Sequence, residues 1–182
     1  MADFLAGQGL PPGRPPVQDP PSLENCLIAK DGDEMDLGGL TLRFLSIEGH
    51  SPGTIVVFIP EIGALIVSDS LGFRFPGRGT FPLFLTGYAE YMAGLDRLQN
   101  LAPRIVGVAH QGPLVGEEIT AAFNESRSGA RELRSGMLND PRPADDIAQE
   151  IFREYYKDEL TMYTEENIVN CARLLVKRAR EE

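Results

Sequence analysis

Histidine and cysteine are scarce in this chain, with two of each in 182 residues. Cys26 and Cys171 lie in different segments, far from any metal-type spacing, so a cysteine zinc module is excluded. Reduced thiols are expected rather than a disulfide. Basic residues are also short: 17 Lys and Arg stand against 27 Asp and Glu, a net charge of −10. A nucleic-acid backbone needs clustered Lys and Arg, so no nucleic-acid partner is expected. The one basic cluster, Lys177, Arg178 and Arg180, falls at the end of a predicted helix, where it complements the negative end of that helix's dipole. No stretch approaches the ~18 apolar residues of a membrane span, and Met1 to Leu10 lacks the basic start and apolar run of a signal peptide. The expectation is a cytoplasmic protein that works on a small molecule and has no membrane partner.

What is present is enough for one domain with a core and a helical appendage. Residues 1–22 carry a proline cluster between Pro11 and Pro21 and read as an irregular leader. From Leu23 the pattern changes. Asp31-Gly32-Asp33 and Gly38-Gly39 read as turns. Leu40–Ile47 is strand-like, Ile55–Ile59 is a continuous β-branched and aromatic run, and Ala64–Val67 returns after a loop at Pro60–Gly63. Residues 40–67 therefore predict an antiparallel meander. Residues 72–87, rich in Gly, Pro and Phe, predict an irregular loop lining the mouth of a site. Tyr91, Leu95 and Leu98 predict a helix over 88–101, and Ile105–Val108 a further strand. After Gly116 the pattern is helical, with a break at Asn139-Asp140-Pro141. Thr164 is placed to cap the last helix, whose face carries Ile168, Cys171, Ala172 and Leu175.

The two histidines sit in loops directly beside predicted strand ends. His50 lies in Gly49-His50-Ser51-Pro52-Gly53-Thr54, before the strand at Ile55; His110 lies in Ala109-His110-Gln111-Gly112-Pro113, after the strand at Ile105. Asp69 ends the strand between them. Taken singly, a loop histidine is a surface residue and Ser68-Asp69-Ser70 a turn. Taken together, imidazole and carboxylate on rigid strand ends are the donor types for zinc or an iron-group metal. Ser51 and Thr54 are candidates for holding the His50 loop.

In this order and spacing, Asn25 to Leu114 resembles the second half of the metallo-β-lactamase fold. Gly49-His50-Ser51-Pro52-Gly53-Thr54 resembles that family's third motif, Leu65-Ile66-Val67-Ser68-Asp69-Ser70-Leu71 its fourth, and Ala109-His110-Gln111-Gly112-Pro113 its fifth. The resemblance implies an α+β fold, an αβ/βα sandwich. Residues 23–116 supply its C-terminal half and 117–182 a helical segment. It implies His50 as ligand of a first metal, Asp69 as bridge and His110 as ligand of a second, with up to two ions of zinc, iron or manganese. The implied activity is hydrolysis of an ester, thioester, lactone or amide by a metal-bound hydroxide. Two departures stand out. Ser68 replaces the family's Gly before the bridging Asp, and Ala109 and Gln111 flank a His that the family sets between glycines. Both add side chains near the site, where they are expected to tilt a ligand or narrow the mouth.

The family's earlier His-x-His-x-Asp-His motif is missing, because no histidine precedes His50. Three donors shared between two ions cannot close a four-coordinate site. One sheet alone also leaves its inner face, including Ile55–Ile59 and Ala64–Val67, uncovered. Three explanations follow: a truncated chain that lacks its N-terminal half, a half-domain completed by a homodimer or another partner, or a non-catalytic binding module derived from the fold. The helices of 117–182 are expected to cover the outer sheet, the alternative being an interaction element that uses Tyr155, Tyr156 and Tyr163.

Overall fold

Alternation along the strands decides which side of the sheet becomes core. The computed structural model describes residues 26–75 and 79–181; the proline-rich segment 1–22 lies outside them. The main sheet comprises β1 (Glu34–Asp36), β2 (Thr41–Ser46), β3 (Ile55–Ile59), β4 (Ala64–Ser68), β7 (Ile105–Val108) and β8 (Gly112–Val115), in the order β1-β2-β3-β4-β7-β8. Neighbours are antiparallel except β4 and β7, which run parallel. The parallel pair needs a crossover. It is made by helix α1 (Tyr88–Gln99), reached through a hairpin of β5 (Phe73–Phe75) and β6 (Gly79–Phe81).

Successive side chains point to opposite faces. The cross-strand row Phe58, Leu65, Val106 and Leu114 is buried. On the same side Val56 and Val67 are also buried, as are Tyr91, Leu95 and Leu98 of α1 in the same core cluster. Each such burial contributes ~1.5–3 kcal/mol. The opposite face carries the rows Val57, Ile66, Gly107, Pro113 and Ile59, Ala64, Ile105, Val115. There Ile66 and Val115 are each 53% exposed. Among the described residues no element covers this face, so the uncovered apolar face expected of a single sheet is present.

Helix α2 (Glu117–Asn139) packs against α1, β6 and β8, with Phe123 and Ala130 fully buried. Helices α3 (Ala144–Tyr155) and α4 (Glu165–Glu181) pair with each other, and α4 lies along α2. Thr164 Oγ1 accepts from the Asn167 N–H, the expected cap. One apolar cluster runs from Leu45 to Ala179, so sheet and helical segment share a core. No described helix is long and apolar enough to cross a membrane. Among the described residues no disulfide forms; Cys26 is exposed and Cys171 half-buried.

Three elements differ from the sequence reading. Residues 72–87 contain the β5–β6 hairpin, because Phe73, Phe75 and Phe81 are buried and Phe73 pairs with Phe81. β8 contains Pro113, which hides a strand; it is tolerated because β8 is the sheet edge. The C-terminal basic cluster places Arg178 and Arg180 in the last turn of α4, as expected, and beyond that it reaches a neighbouring helix. Arg180 donates to the carbonyls of Met137, Asp140 and Arg142 at the end of α2, and Arg178 donates to Leu85 O. The Arg180 guanidinium thus satisfies carbonyls that the end of α2 leaves without partners.

The same corner holds Asp140, whose carboxyl the Arg142 side chain and backbone N–H pull down to about 2, with Arg180 adding a smaller attraction. A depressed carboxyl stabilises the fold above its unfolded value, ~3.9, and that contribution is lost as pH falls toward the folded one. Asp140→Asn should therefore lower the melting temperature at pH 7. The gap to wild type should shrink between about pH 4 and pH 2. Thermal unfolding across that range checks it, and a gap independent of pH would rule out the ionic origin.

Candidate functional site

The topology brings the three predicted site residues to one edge. Parallel β4 and β7 end side by side, so Asp69 and His110, which follow them, are neighbours. The Ala109 N–H donates to Ser68 O across that edge at 3.2 Å. β3 runs antiparallel to β4, so its beginning, and the loop holding His50, reaches the same edge.

Gly49 sets the His50 loop. Its φ is +116°, and a Cβ there would lie 2.5 Å from Tyr91 Cα and 2.6 Å from Tyr91 N. Backbone against backbone has no room to give, so only glycine fits. The Gly49 N–H donates to Thr86 Oγ1 at 3.1 Å, and the Thr86 N–H donates to Gly49 O at 2.9 Å. The loop is thus tied to the segment leading into α1. Within it, the Ser51 and Thr54 hydroxyls lie 2.7 Å apart, and Thr54 Oγ1 donates to Ser51 O. Both residues hold backbone.

His50 Nε2 lies 3.7 Å from Asp69 Oδ2, and His110 Nε2 lies 3.4 Å from Asp69 Oδ1. Each carboxylate oxygen therefore faces one imidazole. A register shift between Ile66 and Ser68 turns the chain out of β4 just before Asp69. Ser68 and His110 both take left-handed backbone, at φ +50° and +69°. Such conformations cost L-residues ~1–2 kcal/mol and gather where the chain must aim a side chain. This accounts for the family's glycine at position 68. His50 Nδ1 is buried with no hydrogen-bond partner. An orphaned buried nitrogen costs ~1–3 kcal/mol, so the imidazole is incomplete as a purely structural residue.

The two departures from the family pattern do not narrow the mouth. Ser68 and Ala109 line a groove on the open sheet face. Gln111 donates from Nε2 to Arg74 O at 2.6 Å, tying the His110 loop to the β5–β6 hairpin.

His50, Asp69 and His110 form the polar end of a cavity of about 200 Å³. The 72–87 segment lines it, as expected, through Phe73, Phe81, Leu83 and Leu85. The helical segment lines it as well, through Leu160, Tyr163 and Cys171 among others. Tyr155 packs on Phe81 with ring centroids 4.2 Å apart, and Tyr163 meets His110 edge-on at 6.5 Å. Tyr156 donates from its hydroxyl to Tyr163 O. Burial, then the Asp69 charge, pushes the Tyr163 phenol up. Burial likewise pushes the Cys171 thiol up. These helical residues were read from sequence only as core or interaction groups. The three tyrosines were the visible signal, but nothing in the sequence says which strand loop they meet.

Two imidazoles on opposite oxygens of one carboxylate suit one donor to each of two ions and a bridge between them. They do not suit a closed cage. Among the described residues no group of three or more His, Cys, Asp or Glu is placed to hold an ion by itself. His50, Asp69 and His110 are thus brought together, and an ion held by them would need further donors.

The Gly49 contact is directly testable. Gly49→Ala adds a Cβ against the Tyr91 backbone and forces a strained φ, so stability should fall by ~2–5 kcal/mol. Denaturant unfolding measures this. A loss below about 1 kcal/mol would mean that α1 gives way freely.

No family model matches the chain. It is 32% identical over 100 residues to the metallo-beta-lactamase fold-containing protein ST1585 of Sulfurisphaera tokodaii, a match covering 52% of this chain and 37% of that protein. It is similar in structure to the metallo-beta-lactamase family protein TTHA1429 of Thermus thermophilus, with TM-score 0.59 and 19% identity over 96% of this chain and 56% of the other. It is also similar to a beta-lactamase domain protein of Burkholderia ambifaria, with TM-score 0.53 and 23% identity over 93% of this chain and 52% of the other. The chain spans about half the length of those two structures and less of the curated relative. The structural likeness covers sheet and helices together. The chain has the metallo-β-lactamase fold and spans about half the length of the solved structures that share it.

Proposed function

We propose that this chain is the C-terminal half of a metal-dependent hydrolase acting on an ester, thioester, lactone or amide. His50 is the donor to one ion, Asp69 bridges, and His110 is the donor to a second, with zinc, iron or manganese as the metal. The observation that carries this reading is the approach of both Nε2 atoms to opposite oxygens of Asp69, at 3.7 and 3.4 Å. When bound, such ions polarise a carbonyl and lower the pKa of water. The chain's own part is to aim three donors from rigid strand ends. Gly49 and Thr86 lock the first loop, and Gln111 ties down the last. The remaining donors come from a complementary N-terminal half that lays its sheet on the face bearing Ile66 and Val115.

A second reading has its own support. The lack of a self-sufficient donor group among the described residues favours a non-catalytic module derived from the fold. Metal analysis separates the two. On the hydrolase reading, zinc or iron copurifies with the chain or with its reconstituted complex. His50→Ala and His110→Ala should each lower metal affinity, on the order of tenfold or more. Metal uptake untouched by both substitutions would overturn the site assignment. Ile66→Lys places a charge on the covered face and should block reconstitution while leaving the isolated chain folded.

A further inference from the structure

The cavity beside His50, Asp69 and His110 has a composition that says what enters it. Away from that polar end its wall is mostly apolar, built by Phe73, Phe81, Leu83, Leu160 and Ile168, with Asn167 the one amide among them. Among the described residues lining it there is no lysine or arginine, and the only carboxylate is Asp69. A phosphate, sulfate or carboxylate on the bound group would find no counter-charge and would face Asp69. The Cys171 thiol, pushed up by burial, donates to Asn167 Oδ1, so that the two polar groups of this wall satisfy each other. The volume, about 200 Å³, exceeds the ~150 Å³ that suffices for a benzene ring in an apolar protein cavity.

We infer that this cavity holds the non-reacting part of the substrate as an uncharged apolar group, a single aromatic ring or a short alkyl chain. The helical segment supplies half of that selectivity. The inference rests on the hydrolase reading, since it takes the polar end of the cavity as the reacting end. It names the acyl or alkyl portion: the carbonyl lies toward His50, Asp69 and His110, and the hydrocarbon runs toward Leu160 and Cys171.

The test uses the full chain without added metal and two probes that share one ring, benzyl alcohol and phenyl phosphate, read by titration calorimetry. Benzyl alcohol should bind at least tenfold more tightly than phenyl phosphate. Cys171→Phe, which fills the cavity, should weaken benzyl alcohol at least tenfold, and Ile66→Ser on the open sheet face should leave it within twofold. Should Cys171→Phe fail to fold, Leu160→Ala serves instead: the enlarged cavity should raise affinity for naphthalenemethanol severalfold over wild type. Equal binding of the two probes, loss of binding in Ile66→Ser, or indifference to the cavity variants overturns the inference. Zinc uptake by Cys171→Phe separates it from the hydrolase reading, because this variant should lose benzyl alcohol while it takes up zinc as wild type does. If zinc uptake ignores the histidines while probe binding holds, the hydrolase reading falls and the cavity assignment stands.

Discussion

The parallel pairing of β4 with β7 is the constraint on which the rest of the molecule depends. Two antiparallel strands joined by a short turn end at opposite edges; two parallel strands end at the same one. Asp69 and His110 are therefore neighbours although 41 positions separate them. The crossover that makes the pairing possible is α1, and α1 also buries the inner side of β4 with Tyr91, Leu95 and Leu98. The same helix offers the backbone against which Gly49 packs, so the His50 loop is positioned by the element that creates the Asp69–His110 pair. Site and core are one construction.

The sheet's two faces carry opposite information. One is closed by α1 and α2 and contributes to folding in the ordinary way. The other presents Val57, Ile66, Ile105 and Val115, side chains whose burial is worth ~1.5–3 kcal/mol each. On the proposed reading, this hydrophobic face and the metal donors beside it share one remedy. A second sheet would cover the apolar rows and bring further donors to the edge where Asp69 sits.

The helical segment does more than cover the sheet. Tyr155 stacks on Phe81, the Tyr156 hydroxyl holds Tyr163 by its carbonyl, and Tyr163 meets His110. The result is a low-polarity wall beside charged donors. Electrostatic interactions are stronger beside such a wall than in open water. Arg180, reaching the carbonyls at the end of α2, holds α4 in register with that wall.

Much of this was legible in the sequence for definite reasons. The meander over 40–67 followed from β-branched runs separated by turn residues, and the last helices from apolar spacing and the Thr164 cap. His50, Asp69 and His110 stood out because histidine is rare here and because glycine and proline flank the His50 loop. The hairpin at 73–81 was hidden by Gly and Pro, and β8 by Pro113, since local propensity does not report that a strand lies at an edge. The apolar lining from 160–171 was hidden for a different reason. Helical periodicity shows which face is buried, but not what it is buried against. By itself, then, the sequence determined the meander, the helices and the residue types at the site, all of which depend on local chemistry. Only the tertiary structure decided that the two imidazoles meet at one carboxylate, that one face of the sheet stays open, and that the helical segment lines the same cavity. Those depend on strand direction and on packing between residues far apart in the chain.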